Sequence, residues 1–164
     1  KMIWCYLLGA ALGGFILAHC TIEIHYFMRV CLAVCLAKFF KSKKHIMDPI
    51  TVTGLCFTTD ADTLIFHMNN ARYFRELDFA KADFYERTGL YRTIRKNGGS
   101  LFQGAATIRY RKFIRTFSFF KITTRIVYWD EKSIFLEHKF ISPSDGFVRC
   151  IVLSRQRIVN LSVD

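Results

Sequence analysis

The sequence lacks the short motifs that mark several large enzyme classes. It has no Gly-x-Ser-x-Gly elbow, no Gly-x-x-x-x-Gly-Lys phosphate loop and no dinucleotide fingerprint, which argues against serine hydrolases and nucleotide-dependent enzymes. It also has no RNA-binding motif, internal repeat or low-complexity tract, so nucleic acid is not an expected partner. Acidic residues are scarce, because 13 Asp and Glu accompany 24 Lys and Arg for a formal charge of +11. That charge suits an anionic membrane surface or a phosphate-bearing ligand.

Cysteines are too few and too widely spaced for a disulfide-built domain. The 6 cysteines stand at positions 5, 20, 31, 35, 56 and 150, without the close framework spacing of small secreted domains. Cys31 and Cys35 are four residues apart in a predicted helix, but no second Cys or His pair with zinc spacing accompanies them. We therefore predict buried, unreactive thiols and no metal site.

Aromatic residues, in contrast, are abundant. The chain has 17 Phe and 7 Tyr in 164 residues, a length that fits one domain of roughly 100–150 residues with a short extension. Aromatic side chains either fill a thick core or line an apolar ligand channel. We favour the core interpretation.

The N-terminal segment has the composition of a membrane helix. Between Met2 and Ile22 there is no Asp, Glu, Lys or Arg, and about 20 apolar residues suffice to cross a hydrocarbon core. A signal peptide is the alternative, because Ala18 and Cys20 are small residues before a possible cleavage site at Thr21. The anchor is the favoured interpretation.

The basic residues that follow this span suggest a topology. They concentrate in residues 38–45, so the positive-inside tendency places the rest of the chain on the cytoplasmic side of a membrane such as the endoplasmic reticulum. The sequence begins with Lys1 rather than Met, and we treat both ends as those of a fragment. The predicted parts are a membrane-anchor or signal-like helix with a basic flank at 1–47, a globular domain at 48–159 and the start of a truncated tail at 160–164.

The pattern of the globular part predicts strands around one long helix. Apolar residues recur at three- and four-residue spacing from Asn70 to Phe84, and Gly89 offers a helix stop. Short turns separate the strand-like segments that follow, so we expect consecutive strands to pair antiparallel. This order predicts an α+β fold in which the sheet wraps the helix. The strand-like segments are 50–57, 101–113, 117–129, 133–141 and 147–159.

The junction before the helix carries a family pattern. An acidic loop with Asp60 and Asp62 leads into His-Met-Asn-Asn-Ala-Arg-Tyr at 67–73. This resembles the hotdog-fold acyl-CoA thioesterases, in which an Asp precedes Gly-His-x-Asn-Asn-x-x-Tyr. The resemblance implies a hotdog fold for about residues 50–159. Similarity to the thioesterase superfamily member six group within that family rests on the same motif and on segments 75–80, 128–132 and 144–147.

The resemblance also implies roles for residues of this junction. An Asp in the family loop acts as nucleophile or general base on the thioester, and Asp62 matches it best. A backbone N–H at the helix start would bind the thioester oxygen. His67 is expected to order the loop and Tyr73 to support the site, while Asn69 or Asn70 caps the helix.

Two positions depart from the family pattern. Phe66 stands where the family has Gly, and Asp62 is five residues before His67 where the commoner spacing is four. Asp60 is the other acid that this loop offers, and for it we favour a structural role.

A basic zone follows the helix. The resemblance would have Arg109, Arg111 and Lys112 meet the phosphates of coenzyme A, whereas a solvated sheet face near an anionic membrane explains them equally well. Spacing alone also predicts ordinary surface ion pairs on the helix. They involve Glu76, Asp78, Asp83 and Arg87.

The resulting functional hypothesis is a membrane-associated hydrolase of fatty acyl-CoA or a related lipid thioester. No cofactor is implied, because coenzyme A enters only as part of the substrate. The expected partners also include the membrane, through the N-terminal helix, and, on resemblance, a second copy of the chain as a homodimer or a larger homo-oligomer. The alternative is a non-catalytic hotdog protein that binds lipids, acyl chains or a protein partner.

Overall fold

A computed structural model describes residues 2–21 and 23–160 of the chain. The tail predicted at 160–164 lies, after its first residue, outside these described residues. The helices are α1 (Met2–Thr21), α2 (Ile24–Phe39), α3 (Asn70–Thr88) and α4 (Leu90–Lys96), with a short 3-10 helix at Thr58–Asp60. The strands are β1 (Ile50–Leu55), β2 (Ser100–Tyr110), β3 (Phe119–Trp129), β4 (Ser133–Ile141) and β5 (Val148–Val159).

The strands form one sheet that packs against α3. It has 5 antiparallel strands in the order β1-β3-β4-β5-β2. In one core cluster Leu77 of α3 packs with Phe120 and Phe140, and in a second cluster Phe84 of α3 packs with Leu136. The predicted α+β hotdog architecture, with the sheet around one long helix, is confirmed.

The side chains of β3 alternate between the two faces of the sheet along most of the strand. Phe120, Ile122, Thr124 and Ile126 are buried toward the helix. Tyr128, which strict alternation would place on the same face, is exposed. The pairing with β4 shifts register between Ile126 and Tyr128, and such a bulge changes which face the following side chains occupy.

One predicted strand pairing is wrong. β2 does not pair with β3 but with β5, at the opposite edge of the sheet. The connection at 111–118 is a crossing segment rather than a tight turn, and it binds the loop before α3. There the backbone N–H of Met68 donates to the carbonyl of Ile114 at 2.8 Å. The same segment therefore joins two distant strands and supports the candidate site.

The ends of α3 agree with the sequence pattern. Asn69 is the N-cap, and its side-chain oxygen accepts the Ala71 N–H at 2.9 Å. Gly89 ends the helix at φ 72°, a left-handed conformation that glycine adopts without strain. The short helix α4, which the sequence did not predict, follows at once and buries Leu90 and Ile94.

The N-terminal segment does not form the predicted membrane anchor. α1 covers the apolar span from Met2 to Thr21, and Ile22 lies outside the described residues. In the part of the chain that the structure describes, no helix combines the length and the apolar character needed to cross a membrane. The predicted membrane-anchored localisation with a cytoplasmic domain is therefore wrong.

α2 packs on α3 as a further layer above the sheet. Arg29 donates to both carboxylate oxygens of Glu76 at 2.7 and 3.0 Å, and Lys41, just after α2, bonds to Asp83. At the start of α2, Glu23 accepts from Arg75 near the start of α3, whereas Lys41, after the end of α2, bonds to Asp83 near the end of α3. The two helices therefore run parallel.

These contacts correct the prediction of ordinary surface ion pairs on α3. The exposed fractions of Glu76 and Asp83 are only 3% and 1%, because α2 and the segment after it cover them. Burial raises the pKa of Glu76, and Arg29 opposes this rise. The expected pair of Asp83 with Arg87 forms at 3.6 Å, but its acid is buried.

The cysteines on α2 also differ from the prediction. Cys31 and Cys35 are exposed rather than buried, because the opposite side of α2 faces α3. Cys56 and Cys150 lie in the core, where burial raises the pKa of Cys56 to about 11 and that of Cys150 to about 12. These two thiols are protonated at neutral pH.

Candidate active site

A tight loop brings Asp62 next to His67. The backbone N–H of Asp62 donates to the carbonyl of His67 at 2.8 Å. In return, the Asp62 carboxylate accepts the backbone N–H groups of Phe66 at 3.1 Å and His67 at 3.4 Å. Ile65 completes the turn at φ 56°, a conformation uncommon for a β-branched residue. The loop is thus held together by its own acid.

The carboxylate of Asp62 remains accessible within this loop. Its side chain is 22% exposed, and one oxygen is 3.9 Å from Nε2 of His67. Partial desolvation works to raise the pKa of Asp62, but the N–H donors of Phe66 and His67 outweigh it and lower the pKa below its ordinary value. Asp62 is therefore ionised at neutral pH, as a nucleophile or general base must be.

The start of α3 carries backbone N–H donors that cap the helix or face the loop. The cap Asn69 engages the N–H groups of Ala71 through its side chain and of Arg72 through its carbonyl. Within the described chain, the N–H of Asn70 has no hydrogen-bond partner. The carbonyl of Asn70 accepts the Tyr110 hydroxyl at 3.1 Å, which fixes the orientation of this residue. A donor at a helix start can stabilise a developing oxyanion.

Asp60 is built into the turn that precedes the loop. It is 4% exposed, and its carboxylate accepts the N–H of Phe57 at 3.1 Å. Its carbonyl accepts the N–H of Asn69 at 2.8 Å. Asp60 therefore ties this turn to the helix start, in line with the structural role favoured from the sequence.

His67 and Tyr73 occupy different environments. The His67 ring stacks on Phe113, with ring centroids 5.5 Å apart, and its Nδ1 is 3.2 Å from the carbonyl oxygen of Met68. Tyr73 is 2% exposed and packs edge-on against Tyr110, and its burial raises its pKa. His67 thus lies at the surface of the loop, whereas Tyr73 belongs to the core beneath it.

Phe113, whose ring stacks on His67, also lines a basic cavity. Its volume is about 370 Å³. Arg149 pairs with Asp145 at 2.5 Å, whereas Lys112 and Arg115 make no ion pair among the described residues. Three basic side chains and three hydroxyl groups suit an anion such as phosphate. The lining residues are Lys112, Phe113, Ile114, Arg115, Ser118, Phe119, Ser142, Ser144 and Arg149.

Of the three residues that were predicted to contact phosphate, only one lines this cavity. That residue is Lys112, while Arg109 is exposed elsewhere on β2 and Arg111 stacks over Phe147 at 4.7 Å. Sequence reasoning missed Arg149, because it follows a turn far along the chain and belongs to no local basic motif.

The fold and the junction together define a class of protein. A sheet wrapped around one helix, with an acidic loop leading into the helix start, is the hotdog arrangement of the thioesterases. A model of the Thioesterase-like superfamily matches residues 56–163, and the chain belongs to this superfamily.

Individual proteins are similar to this chain in sequence or in fold. Protein THEM6 of Drosophila melanogaster is 47% identical over 141 residues, which cover 86% of this chain and 73% of that protein. The probable thioesterase YbaW from Escherichia coli has a TM-score of 0.61 and 20% identity, covering 70% of this chain and 84% of its own. Protein SAV2348 from Staphylococcus aureus, solved in complex with CoA, has a TM-score of 0.60 and 19% identity, covering 73% and 75%. The resemblance seen in the sequence is confirmed.

Proposed function

We propose that the protein hydrolyses acyl-CoA or a related lipid thioester. The observation that carries this proposal is the accessible, ionised carboxylate of Asp62 in the loop that leads into α3. A thioester needs little acid assistance, because a thiolate leaves readily. It needs an oxygen nucleophile and a donor for the oxyanion, and Asp62 and the Asn70 N–H would supply them.

The proposed reaction follows from these two groups. Asp62 attacks the thioester carbonyl and forms an anhydride that water then hydrolyses, or it removes a proton from a water molecule that attacks directly. The C–S bond breaks, coenzyme A leaves as the thiolate, and the carboxylic acid is released. The Asn70 N–H stabilises the negative charge on the carbonyl oxygen. No resident cofactor takes part, since coenzyme A belongs to the substrate.

The basic cavity is the proposed site for the phosphates of coenzyme A. Lys112 and Arg115 form no ion pair within 4 Å among the described residues, and Phe113, which lines their cavity, also stacks on the His67 ring. SAV2348, whose fold is similar, was solved with CoA. Basic side chains with nearby hydroxyl groups recognise phosphate by charge-assisted hydrogen bonds.

The catalytic proposal is tested with Asp62→Asn in the full chain. Asn retains an acceptor for the loop N–H groups but removes the charge, so hydrolysis of palmitoyl-CoA should fall at least about 100-fold. Asp130→Asn is the matched control, because Asp130 also accepts a backbone N–H in a turn, from Lys132 at 2.8 Å. A folded Asp62→Asn protein with full activity would refute the mechanism.

The phosphate proposal has a separate test. Lys112→Ala should raise KM for palmitoyl-CoA but not for palmitoyl-pantetheine, which lacks the nucleotide phosphates. Arg109→Ala, outside the cavity, serves as the control for lost surface charge. Equal KM changes for the two variants, or for the two substrates, would contradict a phosphate site in this cavity.

One observation favours the alternative of a non-catalytic binding protein. The Asp62 carboxylate already accepts two backbone N–H groups of its own loop, as an acid with a purely structural role does. Under this alternative the wild-type protein binds palmitoyl-CoA in equilibrium dialysis and releases no coenzyme A.

A homodimer or larger homo-oligomer is proposed on resemblance and on one feature of the sheet. β2 is an 11-residue edge strand, and its far side pairs with no strand in the described chain. An exposed edge of this length can add a strand from a second copy. Sedimentation of the full chain as a monomer at micromolar concentration would argue against this assembly.

A further inference from the structure

A second cavity lies along the C-terminal half of α3, away from the loop before that helix. Its volume is about 540 Å³, within the range of about 300–1,000 Å³ typical of ligand pockets. No residue of the loop 60–69 lines it. Its walls come from α2, α3, α4 and the sheet.

The walls of this cavity are mostly apolar. Val30 and Val34 of α2 face Tyr85 of α3, Tyr91 of α4 and Leu101 of β2 across it. The rings of Tyr85 and Tyr91 stack with centroids 6.3 Å apart and an interplanar angle of 28°. Branched aliphatic groups and flat rings make a surface that favours hydrocarbon over water.

The charged residues that line the cavity are paired with one another or with neighbours. Lys81 forms an ion pair with Asp78 at 2.9 Å and donates to the side chain of Gln103 at 2.9 Å. Glu86 pairs with Arg92 at 2.7 Å. The cavity therefore presents no uncompensated charge, and a charged headgroup would lose its hydration there without gaining a partner.

We propose that this cavity binds the hydrocarbon chain of the acyl group, and that α2 is the wall that limits the size of that chain. The inference rests on the proposed function, because the chain is that of the thioester. The cavity begins at Asp78, about 12 Å along α3 from Asn70 at the helical rise of about 1.5 Å per residue, a distance that a long acyl chain spans. α2 lies outside residues 56–163, which the family model matches, so this wall is an addition to the shared hotdog domain.

The position of α2 is fixed by specific contacts. The bidentate pair of Arg29 with Glu76 and the hydrogen bond from Tyr26 to Asp78 at 3.1 Å hold α2 against α3. Val30 lies one turn after Tyr26, and Val34 lies one turn after Val30, on the side that faces the cavity. A wall held in this way can discriminate between chains of different size.

The test uses substitutions of Val34 on α2 in the full chain, which either fill or enlarge the cavity. Palmitate binding is measured by calorimetry, and hydrolysis is measured on octanoyl-CoA and palmitoyl-CoA. Val34→Trp should weaken palmitate binding at least about tenfold, because its ring occupies the space of the chain. Val34→Ala, which only enlarges the cavity, should retain binding and shift preference toward bulkier chains. Val127→Trp, on an exposed position of β3, is the matched control and should behave as the wild type.

The outcomes separate this inference from the proposed function. If the wild type does not bind palmitate, if Val34→Trp binds it normally, or if Val127→Trp weakens binding as much, the inference is wrong. If palmitate binding depends on Val34 but no thioester is hydrolysed, the proposal that the cavity binds the chain is supported and the hydrolase proposal fails. If hydrolysis occurs with the same chain preference in all folded variants, the hydrolase proposal holds and the inference fails.

Discussion

The loop before α3 and the outer side of α3 both carry acidic side chains, but they hold them in opposite ways. Asp62 in the loop accepts backbone N–H groups, keeps part of its surface in solvent and has no Lys or Arg partner in the described chain. Glu76 and Asp83 on the helix are buried, and cations from the N-terminal segment neutralise them.

This difference separates acids that look alike in the sequence. A buried carboxylate that pairs with a cation stabilises the packing of two elements, because removing either partner leaves a desolvated charge. A carboxylate held by neutral donors at the surface remains ionised and free to react. We therefore expect variants on the outer side of α3 to affect stability most, and variants in the loop to affect activity.

The largest expected loss of stability comes from Arg29→Met. It leaves the Glu76 carboxylate buried without its bidentate partner, so the free energy of unfolding should fall by about 3 kcal/mol. Urea unfolding followed by circular dichroism measures this change.

The control for that prediction is Arg92→Met. Arg92 also pairs with an acid, Glu86, at 2.7 Å, but its side chain is 65% exposed, and exposed pairs contribute about 0–1 kcal/mol. Replacing both partners, in Arg29→Met with Glu76→Leu, should recover much of the loss. Equal effects of Arg29→Met and Arg92→Met would remove the distinction between buried and exposed acids.

The next effect depends on pH and concerns a buried base rather than an acid. His138 lies between Thr124 at 2.9 Å and Ser154 at 3.1 Å, and burial, aided by Lys81, lowers its pKa to about 3. Because the pKa of His138 is lower in the folded state than in the unfolded state, its contribution to the free energy of unfolding is present above about pH 6.5. This contribution is lost as the pH falls toward 3. The loss is about 1.4 kcal/mol per pH unit, hence about 2 kcal/mol by pH 5.

Comparison with His138→Gln isolates this contribution. The variant does not titrate, so its unfolding free energy should fall less steeply between neutral pH and about pH 5 than that of the wild type. Carboxylates titrate in both proteins and cancel in the difference. Parallel pH profiles would show that His138 is not held neutral by burial.

A smaller effect is expected at the helix cap. Asn69→Ala removes the acceptor for the Ala71 N–H, and the loss of an N-cap costs about 1 kcal/mol. Asn69→Ser retains a capping oxygen and should restore most of this stability. Thermal unfolding of the three proteins gives the comparison, and a Ser variant as unstable as the Ala variant would argue for a different role of Asn69.

The smallest change in stability is expected at Asp62 itself. Asp62→Asn keeps an acceptor for the loop N–H groups, so its unfolding midpoint should stay closer to the wild type than that of Asn69→Ala, although hydrolysis is lost. The measurement is the urea midpoint of each protein beside its activity. A large loss of stability would place Asp62 with the structural acids.

Local patterns in the sequence predicted much of the sheet and of α3. Periodicity and the residues at its ends located the helix, with Asn69 and Gly89 at its limits, because caps act through nearby backbone groups. The pairing of β2 with β5 was not predictable in this way, since it depends on where the segment 111–118 crosses rather than on its turn residues.

The same limit applies to the candidate site. Asp62 and the helix start belong to one short stretch of chain, and the family pattern marks them as candidates. Arg149 reaches the basic cavity only through the fold, and Arg29 meets Glu76 across 47 positions. Such contacts leave no signal in local spacing, which is why buried acids were interpreted as exposed ones.

The parallel course of α2 and α3 has an electrostatic consequence for the loop. Both helices begin at the same end of the molecule, where Glu23 and Ile24 share a cavity of about 550 Å³ with Asp60 and Arg72. Each helix start carries about half a positive charge, so the fields of the two helices add there instead of cancelling as in an antiparallel pair. A polyanionic ligand would be drawn toward this end of the protein, and its association rate would fall as salt screens that field.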